Sequence, residues 1–241
     1  MSTTICFDFG NTRYKAAVFQ EDVLQEIVVL VNDEPATIRE LMQQFKPGYT
    51  ILSSVVHHQP AVEDILKEHS HFHKLSHHTK LPFTTPVGKP ETIGADRLAL
   101  CAAATYLFPN SNNLAIALGT CITYNFINVK NEFLGGSISP GLQMRLQSMH
   151  ALTAKLPLVN MEWNFPLIGY DTKTNLLSGA AWGMAKEIDG IIDAYREKFG
   201  NFNVQLTGGD TPHFAPLLKN QIFADPQLIF KGLYAISVYN R

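Results

Sequence analysis

Two stretches of the chain repeat one order of elements. "TICFDFGNTRYKAAVF" at 4–19 and "LAIALGTCITYNFI" at 114–127 each run from an apolar strand through a glycine-containing turn into a second strand. Strand alternation puts Cys6 and Asp8 on one face and Ile5 and Phe7 on the other, which predicts a hairpin for the first stretch. What repeats is the pattern more than the residues, and an internal duplication is the economical explanation. The first copy also poses a chemical problem. Asp8 ends an otherwise apolar strand, and a buried charge is destabilising unless something compensates it. A metal ion with phosphates beyond it would do so.

The rest of the chain fits two lobes of mixed α/β structure. Helical spacing marks "PATIRELMQQF", "PAVEDILKEH" and "GADRLALCAAATYLF", and "YTILSSVV" reads as a buried strand. "LFPNSNN" at 107–113 collects turn-forming residues between apolar segments, so the expected lobes are 1–109 and 110–241. In the second, Pro140 and Gly141 open a helix, and a long helical pattern follows in "LLSGAAWGMAKEIDGIIDAYREKF". Gly179, Ala180 and Gly183 are expected to allow close helix contact there. "NVQLTGGD" reads as a strand entering a glycine loop, and "TPHFAPLLK" and "GLYAISVYN" as final helices. Trp182, Phe165, Tyr195 and Phe199 are read as core or dimer packing.

Composition narrows the functional classes. With 241 residues, 46% of them hydrophobic, and a net charge of −2, the chain can bury real cores and offers no basic face for nucleic acid. Cys6, Cys101 and Cys121 are widely spaced and odd in number, neither a disulfide framework nor a metal motif. No apolar run approaches membrane-spanning length, and Asp8 and Arg13 interrupt the early hydrophobic stretch. The expectation is a cytoplasmic protein without membrane or nucleic-acid partners.

Three strand ends carry glycine turns: Gly10-Asn11-Thr12, Gly119-Thr120 and Thr207-Gly208-Gly209-Asp210. Glycine lets backbone N–H groups approach a phosphate, and hydroxyl and amide side chains add bonds. Each alone is an ordinary tight turn; three in two repeated lobes favour a phosphate cradle. Neither GxxxxGK[ST] nor GxGxxG is present. Seven histidines between His57 and His78 include His69-x-His71-x-His73, read as solvated groups in preference to a metal site.

"DFGNTRYK", "GADR", "GGSISPG" followed by "LTAKLP", "TKTNLLSG" and "TGGD" occur in the order and at roughly the spacing of the type III pantothenate kinases, across nearly the whole chain. The sequence resembles that family. The resemblance implies the duplicated actin-like (ribonuclease H-like) α/β fold, two lobes around an ATP cleft. It also implies transfer of the γ-phosphoryl of ATP to the primary hydroxyl of pantothenate, the first step of coenzyme A synthesis.

Carried over by residue, the first phosphate loop is Asp8, Phe9, Gly10, Asn11, Thr12, Arg13, Tyr14 and Lys15, with Asp8 holding Mg²⁺ through water. Thr120, Gly208 and Gly209 bind ATP from the second lobe. Gly94, Ala95, Asp96 and Arg97 bind pantothenate, Asp96 accepting the hydroxyl proton and Arg97 pairing with the carboxylate. Thr172 matches a threonine that touches substrate from the partner subunit, which implies a homodimer packed through second-lobe helices. Without the resemblance, Asp96 reads as a first-turn helix residue and Arg97 as a solvated charge.

The chain departs from the family pattern in three places. Ala117 stands where an aspartate ligates an activating potassium or ammonium ion, Asn125 where another aspartate is frequent, and Val87 where a tyrosine lines the substrate site. A methyl group cannot coordinate a cation, so either backbone carbonyls and hydroxyls hold the potassium or ammonium ion that the resemblance implies more weakly, or the requirement is altered. These departures keep two alternatives in view: a non-catalytic nucleotide-binding regulator on the same fold, and a kinase for another small hydroxylated acid.

Overall fold

The computed structural model describes residues 2–86 and 88–241, so Val87 lies outside the described residues. The chain divides into two compact units. The first comprises Met1–Asn110, Val129–Leu134 and Gln227–Arg241; the second comprises Ser111–Asn128 and Gly135–Pro226. The expected division at 109/110 is therefore amended in two segments, 129–134 and 227–241, which join the first unit.

In the first unit, β1 (Thr3–Phe9), β2 (Tyr14–Gln20) and β3 (Val23–Leu30) form an antiparallel meander. After α1 (Pro35–Phe45), β4 (Tyr49–Ser54) pairs parallel with β1; after α2 (Pro60–His69), β5 (His71–Lys74) pairs parallel with β4. The sheet order is β3-β2-β1-β4-β5. Both crossover helices begin with proline at the first turn, where no N–H partner is needed. Ile5, Phe7, Phe9 and Leu52 on one face pack with Ile38, Leu41, Val62 and Ile65 of the two helices. The opposite face is covered by α3 (Ala95–Leu107) and α7 (Leu228–Tyr239). Tyr234 of α7 stacks on Phe19 with ring centroids 4.6 Å apart.

The second unit repeats this plan. β6 (Asn113–Leu118) and β7 (Cys121–Ile127) form a hairpin, continued by β8 (Phe133–Pro140). Beyond α4 (Leu142–Ala151) and the 28-residue α5 (Thr172–Phe199), β9 (Asn203–Thr207) pairs parallel with β6. The short α6 (Thr211–Phe214) leads to β10 (Phe223–Ala224), which pairs parallel with β9. Read from the meander edge, the order is β8-β7-β6-β9-β10, the same path as in the first unit. The duplication inferred from the two hairpins is thus present in topology.

Leu114, Ile116, Leu118, Tyr124, Phe126 and Leu206 pack against α5 on one face of this sheet, with Trp182, Phe165, Tyr195 and Phe199 at the margin of the cluster. The segment "GGSISP" is strand, and the helix starts only after Gly141. Gly179 and Gly183 make no close helix contact among the described residues: a Cβ at either would meet nothing within 4 Å. The close approach occurs at Gly232 of α7, where a Cβ would lie 1.9 Å from the carbonyl oxygen of Ala99 on α3.

Candidate active site

The first unit gathers its polar groups where β1 and β4 end beneath the start of α3, the ends of parallel strands at which α/β sheets bind ligands. Register pairs Asp8 with Lys15 on β2 and with Ser53 on β4, so the three side chains share the face that α3 covers. Asp96, in the first turn of α3, is close enough to Asp8 for the two carboxylates to repel. Loss of solvation, then Asp96, push the Asp8 carboxyl up to about 7, with Lys15 opposing. Burial also raises Asp96, against the pull of the Arg97 main-chain N–H, the Arg97 guanidinium and its own N–H.

Gly94 caps α3 at φ −58° and ψ 141°, an ordinary conformation, so backbone freedom is not its reason. A Cβ at Gly94 would lie 2.5 Å from Asp96 Oδ1, because the carboxylate folds back over the cap. Ala95 follows as the first helical residue. The Arg97 guanidinium carbon sits 5.6 Å from the centre of the Phe133 ring, which brings residues 129–134 against the start of α3.

The first turn is closed by the Gly10 N–H donating to the Arg13 carbonyl at 3.1 Å, leaving Asn11, Thr12 and Arg13 exposed. Phe9 is fully buried, its ring against Phe7, Tyr14 and His58, so this residue offers a ligand only its main chain. The Val55 N–H donates to the Phe9 carbonyl at 3.1 Å, fixing the end of β1 to the segment after β4. Two groupings that no sequence pattern signalled lie close by. Ser54 Oγ meets His58 Nδ1 at 3.0 Å, and His58 Nε2 meets Glu63 at 3.0 Å. Ser53, by contrast, is fully buried and its hydroxyl has no hydrogen-bond partner among the described residues.

These residues fit a divalent cation. Mg²⁺ is held by one or two carboxylates, with water and phosphate oxygens completing its shell. Asp8 and Asp96 are two poorly solvated carboxylates whose repulsion such an ion would relieve, and the unpaired Ser53 hydroxyl adds an orphaned polar atom on the same face. Among the described residues no three His, Cys, Asp or Glu side chains cluster as metal ligands. His58 is not the solvated group expected: its side chain is 7% exposed and is held between Ser54 and Glu63.

In the second unit three turns meet at the end of β6. Gly119 and Thr120 are exposed; the Gly141 N–H donates to the Thr120 carbonyl at 3.0 Å, and a Cβ at Gly141 would lie 2.2 Å from the Gly119 oxygen. Gly208 has φ +102°, and a Cβ there would lie 2.2 Å from the Leu118 oxygen, so its glycine is required by the fold. Gly209 is exposed, with nothing within 4 Å of a Cβ, and is the glycine open to a ligand. Asp210 beside it is raised by burial, partly offset by His213, whose ring stacks on Trp163 at 4.2 Å. Thr172 is exposed as the first residue of α5, after an Asp171–Thr174 capping box.

The position of Ala117 supplies no carboxylate to a monovalent cation. Its cross-strand neighbours are Thr123 and Thr207, with no carboxylate among them. Asn125 Nδ2 donates to the Ala115 carbonyl at 3.1 Å and to Thr123 Oγ1 at 3.2 Å, placing a donor where a cation needs acceptors.

The fold defines the class. It is that of the sugar-kinase and actin-like ATPase group, shared with a glucokinase from an Antarctic psychrotroph at a TM-score of 0.56, 10% identity and 99% of each chain. A Baf family protein from Campylobacter jejuni gives a TM-score of 0.63 at 20% identity, over 98% of each chain. Sequence is more specific: the type III pantothenate kinase family matches residues 4–194. A type III pantothenate kinase of Flavobacterium johnsoniae is 39% identical over 94% of this chain and 93% of its own. The chain belongs to the type III pantothenate kinase family.

Proposed function

We propose that this chain phosphorylates pantothenate to 4′-phosphopantothenate with ATP, opening coenzyme A synthesis, and that the acidic pair Asp8 and Asp96 is its reaction centre. The observation that carries this reading is their juxtaposition beneath the start of α3, in a chain whose family match spans both residues. Asp96 is the base. Phosphoryl transfer passes through a loose transition state, so the hydroxyl proton leaves late and a carboxylate suffices to take it. The raised affinity of Asp96 for a proton favours that acceptance. Arg97 pairs with the pantothenate carboxylate through its planar fork, and Gly94 and Ala95 line the approach.

Asp8 holds Mg²⁺ through water, and the ion supplies neutralisation of phosphate charge. Phe9, Gly10, Asn11, Thr12, Arg13, Tyr14 and Lys15, together with Thr120, Gly208 and Gly209, are the ATP-binding residues. An activating potassium or ammonium ion, which the family resemblance implies, is bound weakly at most, since Ala117 gives it no ligand and the Asn125 amide donates to Thr123 beside it. The active form is a homodimer in which Thr172 completes the partner's substrate site. Leu167, Ile168 and Tyr170, just before Thr172, are 66%, 83% and 81% exposed, a run that a second subunit would cover. No described helix is long and apolar enough to cross a membrane. The cytoplasm, where ATP and pantothenate would both be at hand, is the compartment this reading calls for.

ADP release by the full chain with Mg²⁺ and ATP tests the reading. Turnover that requires pantothenate is the expected result. ATP binding without pantothenate-dependent turnover would overturn it in favour of a nucleotide-binding regulator.

A further inference from the structure

β4 ends in two serines whose side chains point to opposite faces of the sheet, and their surroundings differ sharply. Ser54 is satisfied: its hydroxyl lies 3.0 Å from the Val56 carbonyl and 3.0 Å from His58 Nδ1. Ser53 is 0% exposed and, among the described residues, its hydroxyl meets no donor or acceptor. An unpaired buried hydroxyl destabilises a fold, and alanine would fill the same space without that penalty. Its register partner on β1 is Asp8, and residues directly opposed on adjacent strands project to the same side. The unpaired hydroxyl is therefore on the side of the sheet that carries the Asp8 carboxylate, beneath α3.

We propose that Ser53 is a positioning residue for Asp8: its hydroxyl turns to donate to the Asp8 carboxylate and fixes the orientation in which that carboxylate receives the metal–nucleotide complex. This rests on the reading of Asp8 as the metal-side carboxylate. A serine χ1 rotation between staggered positions is all the movement required. Ser53 touches neither substrate nor reacting atoms, and its effect passes through Asp8.

The test is the Mg²⁺-dependent gain in affinity for a non-hydrolysable ATP analogue, measured calorimetrically on the full chain in excess Mg²⁺ and again in EDTA. For Ser53→Ala the gain falls roughly tenfold, the value expected for one charge-assisted hydrogen bond, while affinity in EDTA is unchanged and Tm stays level or rises. Ser53→Thr, which keeps the hydroxyl, recovers the gain. Asp8→Asn separates the two levels of the proposal. If Asp8→Asn abolishes the gain but Ser53→Ala leaves it within twofold of wild type, Asp8 keeps its role and the inference about Ser53 is overturned. If the gain is missing in the wild type, or survives in Asp8→Asn, the metal reading fails and the inference with it.

Discussion

Gly232 of α7 crosses Ala99 of α3 so closely that a Cβ on the glycine would lie 1.9 Å from the Ala99 oxygen and 3.1 Å from the Ala103 nitrogen. Both obstacles are backbone, so neither can move aside alone. Gly232→Ala is expected to push α7 off α3 and destabilise the fold by roughly 2–4 kcal/mol. Thermal denaturation should show a fall in Tm of roughly 5–10 °C; an unchanged Tm would mean that the two helices do not pack in this way.

Gly94 predicts the opposite separation of stability from activity. A Cβ there strikes only the movable end of the Asp96 side chain, and the glycine has an ordinary φ. Gly94→Ala should leave Tm within a few degrees yet displace the Asp96 carboxylate and lower kcat. Asp96→Asn should lower kcat by about 10²–10⁴. If steady-state kinetics show either variant turning over like the wild type, Asp96 is not the base.

Asp8 gives the metal-free protein a pH dependence of defined sign. Its carboxyl titrates at about 7 in the folded chain and at about 4 when unfolded. Between those values the folded state holds the extra proton, so the contribution of Asp8 to stability is greatest below about pH 4, declines as pH rises, and levels off above about 7. The decline is at most roughly 4 kcal/mol, less wherever water reaches the group. Asp8→Asn should flatten this part of the profile and raise Tm at pH 8 in EDTA. A variant with the wild-type slope in urea denaturation would contradict the assignment.

The neutral surroundings of Ala117 lead to a prediction about salts. Adding potassium or ammonium to enzyme assayed in a large organic-cation buffer should change kcat by no more than about twofold, because the Asn125 amide donates toward Thr123 where a bound cation would need acceptors. A tenfold activation would show that main-chain oxygens take over the ligation.

Much of the architecture was legible because hairpins and amphipathic helices are local. The alternation around Asp8, the paired hairpins and the prolines that start α1 and α2 depend on residues close together in the chain. The sequence by itself determined the two hairpins and the order of elements around them, and its family resemblance pointed to Asp8 and Asp96 before either had a place in space.

Contacts between residues distant in the chain were decided only by tertiary structure. Residues 227–241 return to the first unit because Gly232 lets α7 settle on α3, which no short pattern near residue 230 announces. Gly208 and Gly209 look alike in sequence, yet the Leu118 carbonyl closes one and leaves the other open. Ser53 and Ser54 are adjacent identical residues, and only strand register separates a satisfied hydroxyl from an unpaired one beside Asp8. The physical reason is the same throughout: periodicity specifies which face a residue occupies, whereas the partner waiting on that face is supplied by chain folded from elsewhere.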